Sequence, residues 1–161
     1  GILKESLCSL KFRGDRKLSI PLGKLLAQKI RSRMNVEDMD LIIPVPLHKD
    51  KLQGRGFNQA ELIAREVSRE IRKPVANRIL IKKRDTTSQT HLSQKEREAN
   101  LKNAFYVMDR SRIQGAAILL VDDILTTGST VSECTRELLK WGGEKIFVAT
   151  VATGIHFYPT E

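Results

Sequence analysis

The 161-residue sequence contains no apolar run near the roughly 20 residues that a membrane-spanning helix requires. Lys4, Glu5 and Lys11 interrupt any early apolar region, so no cleavable leader is expected. Cysteine is scarce. Cys8 and Cys134 lie far apart with no CxxC pair, which excludes a disulfide framework and a cysteine-built metal site. The expected compartment is the reducing cytoplasm. Rings for base stacking are few, with five Phe, two Tyr and one Trp. Repeats, low-complexity tracts and Pro-rich linkers are also missing. The length suits one domain over residues 1–161, long enough to bury a core.

Positive charge, by contrast, is abundant. The formal net charge is +9, and residues 1–35 hold +7 of it, nine Lys or Arg against Glu5 and Asp15. A second basic stretch runs from Arg65 to Arg84. Such surfaces attract polyanions and phosphorylated small molecules, or simply keep a protein in solution. Within the first stretch, Lys11, Arg13, Arg16 and Lys17 are the candidate contacts to nucleic-acid phosphates.

Apolar periodicity predicts helices over Ile2–Phe12, from Pro21 through Met34, over Asn58–Ile71 and over Ser129–Lys140. Short apolar runs predict strands at Leu41–Val45, Arg78–Ile81, Ala104–Met108, Ala116–Val121 and Lys145–Ala152. Pro44 assigns the first of these to an edge or a strand end. The connection between the second and third strands reads as a polar loop. Strands alternating with helices give an α/β fold with a mostly parallel central sheet.

The stretch LLVDDILTTGST (Leu119–Thr130) is the most informative. In such folds ligands sit beyond the carboxyl ends of the strands, where Asp122 and Asp123 fall. The loop Ile124, Leu125, Thr126, Thr127 and Gly128 then leads into a helix that begins with Ser129 and Thr130. Inward-curling N–H groups, hydroxyls and a helix N-terminus make a phosphate cradle. Two carboxylates beside a phosphate do not bind that phosphate; they suit vicinal sugar hydroxyls or a metal ion. The parts describe a grip on a ribose 5-phosphate. A Walker loop is excluded because GxxxxGK[ST] is absent. A phospho-receiver is disfavoured because no Asp follows Asp123. A plain capped turn explains Ser129 but not two adjacent aspartates.

This stretch resembles the phosphoribosyl pyrophosphate (PRPP) motif of type I phosphoribosyltransferases. IPVPLHKDKLQGRGFNQAELIA (Ile43–Ala64) is similar to the signature of the ComF family of competence-associated proteins. LKFRGDRKLSIPLGKLLA upstream fits the same family, as does the downstream pattern of Thr87, Gln89, Leu92, Arg97, Asn100, Ala104 and Phe105. Family members commonly carry an N-terminal zinc ribbon with paired CxxC motifs, which this sequence lacks; it is expected to be a short member or an excised domain.

The resemblance implies a type I phosphoribosyltransferase-like fold with a small hood, and displacement at ribose C1 with Mg²⁺ on the diphosphate. Asp122 and Asp123 would then hold the ribose hydroxyls and stabilise positive charge on the ring, with metal contact only through PRPP or this pair. Ile124 to Thr130 would receive the 5′-phosphate. Pro46, Leu47, His48, Lys49, Lys51 and Arg55 would meet the pyrophosphate. His48 reads equally as a loop histidine, and Phe57 as a core plug. Lys82–Gln94 is either a hood, with Lys83 and Arg84 neutralising pyrophosphate in cis or across a homodimer, or a solvated loop. Acceptor recognition is expected near Ala152–Tyr158, where Phe157 and Tyr158 either stack on a base or pack at the chain end. The acceptor itself is not legible.

Two functions follow. One is a Mg²⁺-dependent phosphoribosyltransferase. The other is an accessory protein that handles single-stranded DNA with the competence machinery, at the inner face of the membrane through partners. A PRPP-sensing regulator without turnover is a third, lesser reading.

Overall fold

The computed structural model describes residues 1–84, 86 and 93–153. Its centre is β4 (Ala117–Leu125), which pairs in parallel with β1 (Leu41–Pro44) on one side and β5 (Lys145–Thr153) on the other. Alternate residues of β4 feed two cores, as expected of a strand covered on both faces. Leu119 and Val121 pack with α1 (Ile2–Phe12), α2 (Ser19–Arg33) and α4 (Gln59–Ile71). Ile118 and Leu120 pack with α6 (Ser129–Lys140) and with β2 (Leu80–Lys82) and β3 (Phe105–Val107), an antiparallel pair beside the main sheet. The expected α/β layering with a mostly parallel sheet is what the chain forms.

Pro44 sits where its missing N–H costs nothing. Ile42 N–H donates to Pro74 O and Ile42 O accepts from Ala76 N–H, both at 2.8 Å, on the side of β1 away from β4. Pro44, two residues on, turns its nitrogen to that same side. Val45 N–H, of opposite parity, still donates to Val121 O at 2.9 Å.

Helices α2 and α4 cross closely because position 23 is glycine. A Cβ there would lie 2.4 Å from Glu66 Cβ.

Four expectations need correction. Ile124 and Leu125 belong to β4, not to the loop; their side chains continue the two cores, which draws the strand past the aspartates. The expected second strand begins at Leu80, since Arg78 has φ 74°, outside the extended region. The segment Lys49–Arg55, expected as loop, is a helix (α3) with His48 as its N-cap. The polar connection after β2 contains α5 (Gln94–Leu101), started by a reciprocal cap: Ser93 Oγ accepts from Glu96 N–H, and Glu96 Oε2 accepts from Ser93 N–H.

Candidate functional site

The sheet's carboxyl edge brings three segments together: the end of β4, the start of α4, and α3. Asp123 is 6% exposed. Its Oδ1 accepts from Ile124 N–H at 2.8 Å, and its Oδ2 accepts from Gln59 Nε2 at 3.2 Å. Gln59 Oε1 in turn accepts from Arg55 Nη1 at 2.5 Å. A buried amide thus joins a cation on α3 to a carboxylate on β4. Burial draws the Arg55 pKa down, and the charge of Asp123 works the other way.

Asp122 is less enclosed than Asp123 by exposure, and its Oδ1 accepts from Asp123 N–H at 2.8 Å. Its pKa is pushed well up, first by desolvation, then by the charge of Asp123 and a hydrogen bond between the two side chains. The backbone bond and the more distant Lys11 ammonium act in the opposite sense. Two carboxyls this close cannot both ionise cheaply, so the pair retains a proton beyond the ordinary carboxylate range.

Beyond them, Thr126 and Thr127 are exposed. Gly128, at φ 83°, is the N-cap of α6 and supplies no side-chain cap. Thr127 Oγ1 lies 2.9 Å from Ser129 Oγ and accepts from Ser129 N–H at 3.3 Å. Thr130 is in the first helical turn, half-buried like Ser129. The Ser129 amide, the first of α6, is thus met by a hydroxyl of the preceding loop.

The segment predicted to meet pyrophosphate divides in two. Pro46 and Leu47 form a half-buried connection, and His48 is buried, its Nδ1 accepting from Asp50 N–H at 3.3 Å to start α3. The His48 side chain is thus engaged in capping α3. Lys49 is exposed, whereas Lys51 and Arg55 line a cleft of about 580 Å³ with Lys11, Phe12, Arg13, Gly14, Asp50, Gly54 and Phe57. Four cations and one carboxylate thus line the gap between α1 and α3. The aspartate pair does not line this cleft; Arg55 is the residue that borders it and reaches toward Asp123. Arg16 clasps the two elements from outside, its guanidinium 4.9 Å from the Phe57 ring centre and its Nη2 donating to Gly56 O at 3.3 Å. Lys17 is exposed on the short turn of 3₁₀ helix before α2. Phe57 is buried in the core under α2 and α4, as read from the sequence.

Lys83 is exposed, its ammonium 5.8 Å from the Tyr106 ring centre. Arg84 donates to Asn100 O at 3.1 Å and to Lys102 O, so it closes the C-terminal end of α5. Within the expected hood, Asp85 and residues 87–92, which include Thr87, Gln89 and Leu92, lie outside the described residues, as do Phe157 and Tyr158.

Gln59 and Asn58 were not among the residues singled out from the sequence. Asn58 Oδ1 accepts from Ala60 N–H and its Nδ2 donates to Val45 O, both at 3.0 Å, tying the end of β1 to the start of α4. A signal was present: Gln59 precedes Ile63 by one helical turn and shares its apolar stripe. A polar group on a buried stripe requires a partner.

Among the described residues no three His, Cys, Asp or Glu side chains group as a metal cage. A divalent cation here would need oxygens from a phosphorylated ligand to complete its shell.

Comparison with known proteins agrees with the fold. The phosphoribosyl transferase domain family matches residues 57–158. Competence protein F of Haemophilus influenzae is 37% identical over 142 residues, covering 86% of this chain and 62% of that protein. DNA utilization protein YhgH of Escherichia coli K12 is 34% identical over the same length and coverage, and competence protein ComFC of Bacillus subtilis is 29% identical over 141 residues, 88% of this chain and 55% of that one. The chain therefore spans about three-fifths of the length of the curated relatives it matches. In fold it resembles glutamine PRPP amidotransferase from B. subtilis (TM-score 0.56, 20% identity, 83% of this chain, 26% of that one) and a purine phosphoribosyltransferase from Pyrococcus horikoshii (TM-score 0.50, 17% identity, 83% and 70%). The chain belongs to the phosphoribosyl transferase domain family, with relatives among the ComF-type competence proteins.

Proposed function

We propose that this chain binds PRPP and transfers its phosphoribosyl group to an acceptor. The observation that carries this reading is the hydrogen-bonded run from Arg55 through Gln59 to Asp123, which joins a phosphate-suited cation to a sugar-suited carboxylate. Asp123, held on both oxygens, would present a fixed acceptor to a ribose hydroxyl, with Asp122 beside it. The hydroxyls of Thr126, Thr127, Ser129 and Thr130 and the first-turn amides of α6 would take the 5′-phosphate. Lys51 and Arg55 would hold the diphosphate from the cleft side.

In the reaction the bond from C1 to the diphosphate oxygen breaks and its electron pair leaves with pyrophosphate. The acceptor then supplies a pair to C1. Positive charge grows on the ring between those events, and a carboxyl pair beside the ring would lower its energy. Mg²⁺ bound to the diphosphate would ease departure of that highly charged group. Pyrophosphate release from PRPP in the presence of Mg²⁺ and a panel of nucleobases and amines tests turnover. Release that depends on one acceptor supports a transferase. Tight PRPP binding with no release under any acceptor supports a PRPP sensor instead.

A second reading rests on the cleft itself. Lys11 and Arg13 stand on its rim beside Phe12, a ring 73% exposed, an arrangement suited to the backbone of single-stranded DNA and one stacked base. Binding of a labelled oligonucleotide is expected to weaken steeply as salt rises; affinity that ignores salt contradicts it. A role in DNA utilization, of the kind the relatives' names describe, accommodates either reading.

A further inference from the structure

We propose that Gln59 is a positioning residue that couples an anion in the cleft to the hold of Asp123 on the pentose. The inference rests on the PRPP-binding reading above and goes beyond it, because it assigns cooperativity to one buried amide. Gln59 is 5% exposed and fully engaged. Its carbonyl accepts from Arg55 Nη1, and that contact fixes which end of the amide faces β4. Only in this orientation does Nε2 point to Asp123 Oδ2. Flipped, the amide would set its oxygen against a carboxylate oxygen and its NH₂ against a guanidinium, two repulsive contacts in place of two attractive ones.

Arg55 is only partly enclosed, and it borders the cleft with Lys11, Arg13 and Lys51. A phosphate anion there would order the guanidinium by charge-assisted hydrogen bonds. The ordering entropy of Arg55 is then spent once. The amide, and through it the carboxylate, is already set when the sugar arrives, which is positive cooperativity without a change of fold. Asn58 and the N-terminus of α4 hold the Gln59 backbone in place, so the side chain is the element that responds.

The test is isothermal titration of ribose 5-phosphate into the full chain, alone and with saturating inorganic pyrophosphate. Pyrophosphate is expected to tighten ribose 5-phosphate binding by about fivefold or more, the lower range of site-to-site coupling. Gln59→Met, which keeps the volume but neither hydrogen bond, is expected to bring that ratio to one. Gln59→Glu keeps an acceptor for Arg55 but sets a second carboxyl oxygen against Asp123 where the donor stood, and it too is expected to abolish the ratio. A thermal melt of each variant verifies folding. If Gln59→Met retains the full ratio, Gln59 is a packing residue and the proposal fails. If the wild-type chain binds both ligands with a ratio of one, the coupling fails while PRPP binding stands. If it binds neither, the function proposed above fails with it.

Discussion

Asp122 and Asp123 share one electrostatic site at the end of β4: the Asp122 carboxyl accepts the Asp123 N–H at 2.8 Å. Burial and that neighbouring charge raise the Asp122 pKa well above its unfolded value. The folded state therefore holds a proton that the unfolded state releases, and stability falls as pH rises through the raised value. Asp122→Asn removes the charge and keeps the oxygen that accepts from Asp123 N–H. Its melting temperature is expected to exceed that of the wild type at pH 8 by about 2–4 °C, the shift that about 1 kcal/mol produces at this size. The gap should close toward pH 4. A variant less stable than wild type at pH 8 contradicts the assignment.

The same enclosure reaches Cys134, on the face of α6 against the sheet. Its thiol pKa is pushed well up by burial first, with the Asp122 charge adding to it. A thiolate is the reactive species, so Cys134 should be inert in the native chain. Cys8 is exposed. Titration with a thiol reagent should show one fast group, and a second only after denaturation. Two fast groups would mean that α6 opens readily from the sheet.

Gly23 separates two opposing effects. Alanine in a helix interior is worth about 1 kcal/mol over glycine. Here the new Cβ would meet Glu66 Cβ at 2.4 Å and Ile63 O at 3.2 Å, neither of them a flexible side-chain tip. Overpacking of this kind costs about 1–3 kcal/mol and forces α2 away from α4. Gly23→Ala is expected to lower the denaturation midpoint, and adding Glu66→Ala should leave most of the loss, since the nearest atom is Cβ. A stabilised Gly23→Ala would show that the helices yield freely.

Arg84 ties α5 to the end of β2 through the carbonyls of Asn100 and Lys102. Removing it leaves those groups to solvent at the helix end. Arg84→Ala should raise amide hydrogen exchange across α5 and leave protection in β4 and α4 unchanged. Equal loosening everywhere would mean that this contact holds more than one helix.

Much of this architecture is legible in the sequence where a single pattern dominates. The run from Ala117 to Val121 is apolar at every position and becomes the central strand; the stripe of Ile63, Val67 and Ile71 becomes the buried side of α4. The bounds of α6 follow from a Gly at each end, Gly128 before it and Gly142 after it. What escaped depends on local caps without an apolar stripe, or on partners distant in the chain. Helix α3 has seven residues, three of them glycine or adjacent to one, and no apolar stripe; it forms because His48 caps it and Gly56 ends it in a left-handed turn. Helix α5 is polar apart from Ala99 and the buried Leu101, and it starts on a capping box. In the site, the aspartates and the hydroxyl loop were visible as a motif. Gln59 was not, because its role exists only when Arg55 and Asp123, 68 positions apart, are brought to its two ends.

The central claim is that the β4 carboxyls and the Thr126–Thr130 segment together grip PRPP. Isothermal titration of PRPP with Mg²⁺ into the wild-type chain and into Asp122→Asn/Asp123→Asn tests it most directly. The account predicts saturable one-to-one binding that falls by at least tenfold, about 1.4 kcal/mol, in the double variant. No binding to the wild type, or equal affinity in the two, would contradict it.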